Sequence, residues 1–190
     1  MKVKGIILNK FNKALIIMIP VFIILIVTIN LYSAAQFDNW GISKDTVLKK
    51  HLSPGEKTDE FTPIKNPNYE NKIMNMVKLI LKNVDADVDK KITIISTKTS
   101  PRKDFLVFNN KLFSVMEVYN SISKDELTTI VKKLSEQYGE PNYNPGSEME
   151  IYFIASKNTK IIVHYYIKTK KCEIYYYDSQ LYHKLSTNDY

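Results

Sequence analysis

Apolar residues are unevenly distributed along this chain. Residues 14–37 carry no charge, and everything beyond them alternates between short apolar patterns and polar breaks. The most apolar part, residues 14–32, would span roughly 28 Å as a helix at about 1.5 Å per residue. That is close to the roughly 30 Å hydrocarbon core of a bilayer, so a single transmembrane helix is predicted over 14–37, kinked near Pro20. After it, Ser43 is placed to cap a helix over 44–51, with Asp45 complementing the helix dipole and Val47, Leu48 and Leu52 forming a narrow stripe. Ser53-Pro54-Gly55 stops that helix. Residues 56–66 have no periodicity and read as a loop. Tyr69, Ile73, Met76, Val77 and Ile80 then recur at spacings of three and four, which predicts a helix over 68–83.

The following pattern changes period. Residues 92–97, 105–108 and 111–119 read as strands, the last two joined as a hairpin across Asn109-Asn110, which tolerate positive φ. Between 121 and 139 lies a long helix. Ser123 and Glu126 form its capping box, Leu127, Ile130, Val131, Leu134 and Tyr138 its buried stripe, and Gly139 with Pro141 its end. Residues 142–147 read as a linker. Strands over 149–155, 160–168 and 171–178 follow, then a short helix over 180–185 and a frayed end. A two-residue turn at Thr169-Lys170 places Val163, Tyr165 and Ile167 on one face with Cys172, Ile174 and Tyr176. An odd loop at Lys157-Asn158-Thr159, with Asn158 at positive φ, would add Ile151 and Phe153 to that face. The sum is an α+β domain, an antiparallel sheet packed on one face by two or three helices and preceded by one transmembrane helix. Its parts are a basic N-terminus over 1–13, the anchor over 14–37 and the domain over 38–190.

Charge adds a direction. The only charges before the apolar run are Lys2, Lys4, Lys10 and Lys13, so the positive-inside bias puts the N-terminus in the cytoplasm and residues 38–190 outside it. A cleaved secretory signal is the competing reading, because Ser33 and Ala35 are small residues ahead of Gln36; it would release the same domain in secreted form. No Cys stands near residue 35, which excludes a lipid-modified N-terminus of the bacterial lipoprotein type. The net charge of +7 falls to +3 for residues 38–190, 23 basic against 20 acidic, once the four leading lysines are set aside. Such a mixed surface is not a nucleic-acid footprint. It leaves only weak attraction to anionic lipid headgroups or wall polymers. With a single cysteine, Cys172, no intramolecular disulfide is possible.

Candidate chemistry is sparse. Asp85-Ala86-Asp87-Val88-Asp89 resembles the opening of a calcium loop, but Lys90 and Ser96 stand where Gly and Glu are required. His51, His164 and His183 show no metal-ligand spacing. Cys172 and His164 fall on opposite faces of the expected hairpin, so they form no nucleophilic dyad. Five scattered glycines build no phosphate loop. No catalytic, cofactor-binding or metal-ligating set is therefore expected. What remains is aromatic. Tyr166, Tyr175 and Tyr177, with His164, emerge on the less buried face of the sheet, a patch suited to a peptide, glycan or protein partner unless helices cover that face too.

Two local signatures add to this. Gly41-Ile42-Ser43, followed by Val47 and Pro54, resembles the Gly-Met-Thr/Ser, Val, Pro signature that opens the helix of SmpA/OmlA-type domains, which include the small lipoprotein subunit of the β-barrel assembly machinery. The Trp-Gly-x-Ser-x-x-x-Val run over 40–47, the Tyr-Gly-x-Pro run over 138–141 and Tyr176-Tyr177-Asp178 are similar to patterns in small secreted bacterial proteins. The resemblance is structural and carries no functional residue with it; the chain as a whole reads as a non-catalytic, membrane-anchored envelope protein that binds or scaffolds another envelope component. A cell-envelope hydrolase and an immunity or inhibitor protein for an exported toxin are the alternatives. Finally, Ile42-Ser43-Lys44-Asp45 recurs as Ile122-Ser123-Lys124-Asp125, a hint of two similarly built helix-then-sheet units.

Overall fold

The computed structural model describes Phe37, residues 39–81 and residues 87–187, with the backbone alone at 80, 81, 185 and 186. The basic N-terminus over 1–13, the expected anchor over 14–37 apart from Phe37, and Asp85 and Ala86 of the acidic run lie outside the described residues. Among the described residues no helix is long and apolar enough to cross a membrane.

Eight strands form one antiparallel sheet: β1 (Thr58–Phe61), β2 (Ile92–Thr97), β3 (Arg102–Phe108), β4 (Lys111–Tyr119), β5 (Asn142–Asn144), β6 (Met149–Ala155), β7 (Thr159–Tyr166) and β8 (Lys171–Asp178). Their spatial order is β1-β2-β3-β4-β8-β7-β6-β5. Among the described residues five helices accompany them: α1 (Lys44–His51), α2 (Lys72–Leu81), α3 (Val88–Lys91), α4 (Lys124–Tyr138) and α5 (Ser179–Thr187). The hairpin between β3 and β4 turns on Asn109 and Asn110 at φ 48° and 61°, as their tolerance of the left-handed region predicts. The capping box of α4 is present in both directions, and all five residues of its expected stripe are buried. Helix α2 begins at Lys72 rather than 68 because Asn71 Oδ1 accepts from the backbone N–H of Ile73 and Met74, which makes Asn71 the cap.

Helices pack on both faces of the sheet, not on one as expected. Residues 175 and 177 of β8, Met116 of β4 and Leu106 of β3 share a core with Ile73, Met74 and Val77 of α2 and Val88 of α3. On the opposite face, Tyr176 of β8 meets Tyr138 of α4 at 6.5 Å between ring centroids, and Tyr165 of β7 donates its hydroxyl to Ile122 O at the head of α4. The central strands are consequently buried at nearly every position instead of alternating, the pattern of a sheet enclosed on both sides.

Two further expectations are corrected. Ser156 and Thr159 pair across the β6–β7 connection, and Ala155 opposes Lys160, so the loop is even and Asn158 is not among the residues at positive φ. Ile151 and Phe153 therefore oppose His164 and Ile162 and lie on the α2 face, not with Val163 and Tyr165. The β7–β8 connection runs over four residues, with Tyr166 opposite Lys171. Lengthening it by two preserves the face of every side chain, so Val163 and Tyr165 still share a face with Cys172, Ile174 and Tyr176. The stretches read as loop and linker contain β1 and β5. Both are short edge strands whose residues are half-exposed or exposed, so they carry no buried alternation to detect.

The strand order is a palindrome. Each half consists of a helix followed by a four-stranded meander, α1 with β1–β4 and α4 with β5–β8, joined where β4 pairs with β8. The halves agree in detail. Ser43 and Ser123 both cap their helices, accepting from the N–H of Thr46 and Glu126. Each helix start is tied to the last hairpin of its own half, through Leu112 N–H to Ile42 O in the first and Ile122 N–H to Lys170 O in the second. The recurring tetrapeptide thus marks equivalent positions in two copies of one unit. Helices α2 and α3 are inserted in the first copy between β1 and β2.

Candidate functional site

The aromatic patch expected from the sequence is not a surface. Tyr175 and Tyr177 are 2% and 7% exposed and His164 is 6% exposed, because α2 and α5 lie over them; Tyr166 is half-buried. Tyr177 packs edge-on against Tyr182 of α5. The others form a polar cluster beneath α2. Tyr175 and Tyr166 donate their hydroxyls to Glu173 Oε2 at 2.8 and 3.0 Å, and Lys171 Nζ reaches Oε1 at 2.6 Å. Burial alone would raise the carboxyl pKa of Glu173, but these hydrogen bonds outweigh it and hold the carboxyl below its ordinary value. Lys72 Nζ donates to His164 Nδ1 at 2.8 Å. Burial, and then the adjacent Lys72 charge, push His164 down to about 4, so its imidazole is neutral at neutral pH. All these groups are mutually satisfied, and the cluster anchors α2 to the sheet.

His164 and Cys172 lie on opposite faces, as the hairpin parity predicts. Cys172 is fully buried, and burial pushes its thiol up to about 12. It is a core residue rather than a nucleophile.

A concave site is present on the opposite face of the sheet, where α1 stops. The two equivalent helices differ in length, 8 residues in α1 and 15 in α4. Counted from their caps, Val47 matches Leu127 and His51 matches Val131. Helix α4 continues for two more turns and buries Leu134 and Tyr138, whereas α1 is broken by Ser53-Pro54-Gly55, with Gly55 at φ 79°. Beyond His51 the sheet face opens into a cleft of about 570 Å³. The 53–57 segment, the β2–β3 turn over 98–101 and Lys103 line it.

The cleft is basic. Lys57, Lys98 and Lys103 line it against a single acid, Glu56. Both oxygens of Glu56 are engaged: Oε1 accepts from Thr99 Oγ1 and Oε2 from Ser53 N–H, each at 2.9 Å, which clamps the two walls together. The imidazole of His51 sits against Phe37 and Phe105, with ring centroids 5.3 and 5.9 Å away. Its Nε2 is buried and has no hydrogen-bond partner among the described residues. Burial first, then the charges of Lys50 and Lys103, hold its pKa below the ordinary value.

Behind the cleft lies Glu117, fully buried on β4 opposite Lys103. Tyr176 and Tyr119 donate their hydroxyls to its Oε2 at 3.2 and 3.4 Å, while Oε1 has only Lys103 Nζ, at 4.0 Å. Burial dominates and raises its pKa to about 7, with Lys103 opposing. Lys103 therefore stands between the cleft and a buried carboxyl.

Phe37, the last residue of the apolar run, packs behind this site against His51 and Phe105. It is 2% exposed, its N–H donates to the Tyr138 hydroxyl at 2.9 Å, its carbonyl accepts from Thr159 Oγ1 at 3.1 Å, and its ring packs on Tyr176 at 4.9 Å. Hydropathy groups it with the anchor because a buried core Phe and a lipid-facing Phe look alike in sequence. The cleft lysines had no sequence signal of their own. The one available clue was that two helices with the same cap end at different lengths.

No family model, curated protein or solved structure matches the chain.

Proposed function

We propose that the chain is a membrane-anchored, non-catalytic envelope protein whose extracytoplasmic domain binds another envelope component through the cleft at the end of α1. The observation that carries this reading is the cleft itself, a basic concavity in one copy of a duplicated unit at the place where the other copy is filled by its own helix. A gap of that kind holds a ligand in place of the missing turns. The chemistry of the lining supports binding over catalysis. In a catalytic triad a carboxylate stabilises the imidazolium that forms, whereas the charges acting on His51 are the cations Lys50 and Lys103. The thiol of Cys172 is sealed in the core. Residues 14–37 supply the membrane attachment.

Photo-crosslinking in cells tests the proposal. A photoreactive residue at Ser53, on the cleft rim, should give a discrete adduct in the membrane fraction, and one at Thr128, on the exposed side of α4, should give none. Equal labelling from both positions, or no adduct from Ser53, would count against the cleft as the binding site.

A further inference from the structure

We infer that the cleft at the end of α1 binds a phosphate-bearing group; the inference rests on the cleft being the binding site and names the chemistry of what it holds. Three lysines face one carboxylate there, so the lining carries a net charge of +2. That one carboxylate is spent on Thr99 and Ser53. Of the lysines, Lys98 is paired with Asp59 at 2.9 Å on an exposed flank, and Lys103 is 4.0 Å from Glu117, beyond hydrogen-bond length. Two ammonium groups, those of Lys57 and Lys103, are thus available to an incoming acceptor, and His51 lines the cleft beside them.

The alternatives fit less well. A cation would meet like charge on three sides. A wholly apolar ligand would strip water from the lysines, and each polar group buried without a partner costs about 1–3 kcal/mol. A carboxylate offers two oxygens in one plane, whereas donors from the α1 end, the 53–57 segment and the head of β3 approach from different directions. A tetrahedral phosphate presents oxygens to all of them, and lysine ammoniums bind it as point charges. The cleft of about 570 Å³ is much larger than a phosphate ion. Pro54 and Pro101 supply apolar wall for whatever carries the phosphate, such as a glycerol or sugar body. Free phosphoryl compounds and the headgroups of anionic lipids share this chemistry.

The experiment uses the detergent-solubilised full chain and follows the imidazole resonances of its three histidines by NMR. The probes are inorganic phosphate, glycerol phosphate and short-chain phosphatidylglycerol, with chloride at equal ionic strength and short-chain phosphatidylcholine as controls. The expected result is a saturable shift of His51, with His164 and His183 unmoved. A response to the soluble phosphates points to a free phosphoryl ligand, and one confined to phosphatidylglycerol points to a lipid headgroup. The Lys57→Gln variant should weaken the response about tenfold or more, as expected for loss of a charge-assisted contact. Lys103→Gln should do the same, and unchanged Trp40 emission reports that each variant is folded. A His51 shift reproduced by chloride, or one unchanged in both variants, would overturn the phosphate assignment. A His51 shift with a neutral oligosaccharide and none with any phosphate would overturn it while leaving the cleft as a binding site. Silence of His51 to every probe would overturn the phosphate assignment, and failed crosslinking from Ser53 alongside it would remove the binding site as well.

Discussion

Replacing Glu117 by Gln should change how stability depends on pH. The carboxyl is fully buried, and its pKa is raised from an ordinary 4.5 to about 7 because burial penalises the charged form more than Lys103 relieves it. A raised carboxyl pKa means that the folded state binds the proton more tightly than the unfolded state. The favourable contribution is therefore complete below pH 4.5 and is lost as pH rises through about 7. Each tenfold change in proton affinity is worth about 1.4 kcal/mol, so the whole loss is about 3 kcal/mol. Glutamine keeps the shape and cannot ionise. Its amide faces the same two tyrosine hydroxyls, and the half-buried Lys103 loses its nearest acid, but both effects are constant across this pH range. Guanidinium unfolding of the full chain can be followed through Trp40, the single tryptophan, whose indole N–H donates to Thr159 Oγ1 at 2.9 Å and so reports on the domain. His51 and His164 have lowered pKa values and titrate in the opposite sense, so the quantity to read is the difference between variant and wild type. That difference should move in favour of Glu117→Gln by about 2.5 kcal/mol between about pH 5 and about pH 8. Parallel pH profiles would refute the reasoning and place an ionised Glu117 in the core at all these pH values.

Three other expectations follow from packing. Phe37→Ala should destabilise the domain by about 3–5 kcal/mol, the usual cost of emptying a buried aromatic site; a loss near zero in Trp40-monitored unfolding would contradict its place in the core. Ser123→Ala removes half of the capping box of α4 and should cost about 1 kcal/mol in the same assay, with no change in the denaturant slope. Cys172 should resist alkylation in the native protein and react on unfolding, read by mass spectrometry, because burial holds its thiol pKa at about 12; rapid native labelling would contradict its place in the core.

How much of this was legible depended on whether an element carried its own signal. Helix α4 has a box, a stripe and a stop, and each names a residue whose burial or bonding follows from local chemistry. The Asn109-Asn110 hairpin is fixed by two residues able to take positive φ. The second layer of helices was not legible. Residues 175–177 read as three tyrosines that can face in or out, and which of them meets solvent is decided by where α2 docks, some hundred positions away in the chain. The apolar face of α2 was itself visible in Ile73 and Val77, but nothing local says which side of the sheet receives it. Edge strands β1 and β5 were missed for a different reason. They hold to the sheet by backbone pairing with a neighbour, with no buried side chain between Asp59 and Glu60 or within Asn142–Asn144. The candidate site was invisible as a motif, because its lysines come from three separate segments and look like ordinary surface charge.

The duplication supplies what residue patterns lacked. Two copies of one unit start from the same cap, and the sequence difference that follows has a structural consequence in one copy alone. Where the second copy places Leu134 and Tyr138 on the sheet, the first has Ser53-Pro54-Gly55, which cannot continue a helix. Where the second has the core residue Val131, the first has His51, an imidazole with a buried nitrogen and no partner among the described residues. A helix shortened merely by drift would be expected to leave an apolar hollow lined by the same aliphatic residues, prone to collapse. Here the exposed sheet end carries Lys103, the neighbouring turns carry Lys57 and Lys98, and the one acid is used to tie the walls together. Lining and truncation change together, and that concurrence separates a site from a defect. Restoring the missing turns with a helical sequence copied from residues 132–138 should therefore stabilise the domain while abolishing phosphate-dependent shifts at His51. A filled first copy that still responds to phosphate would place the binding groups elsewhere.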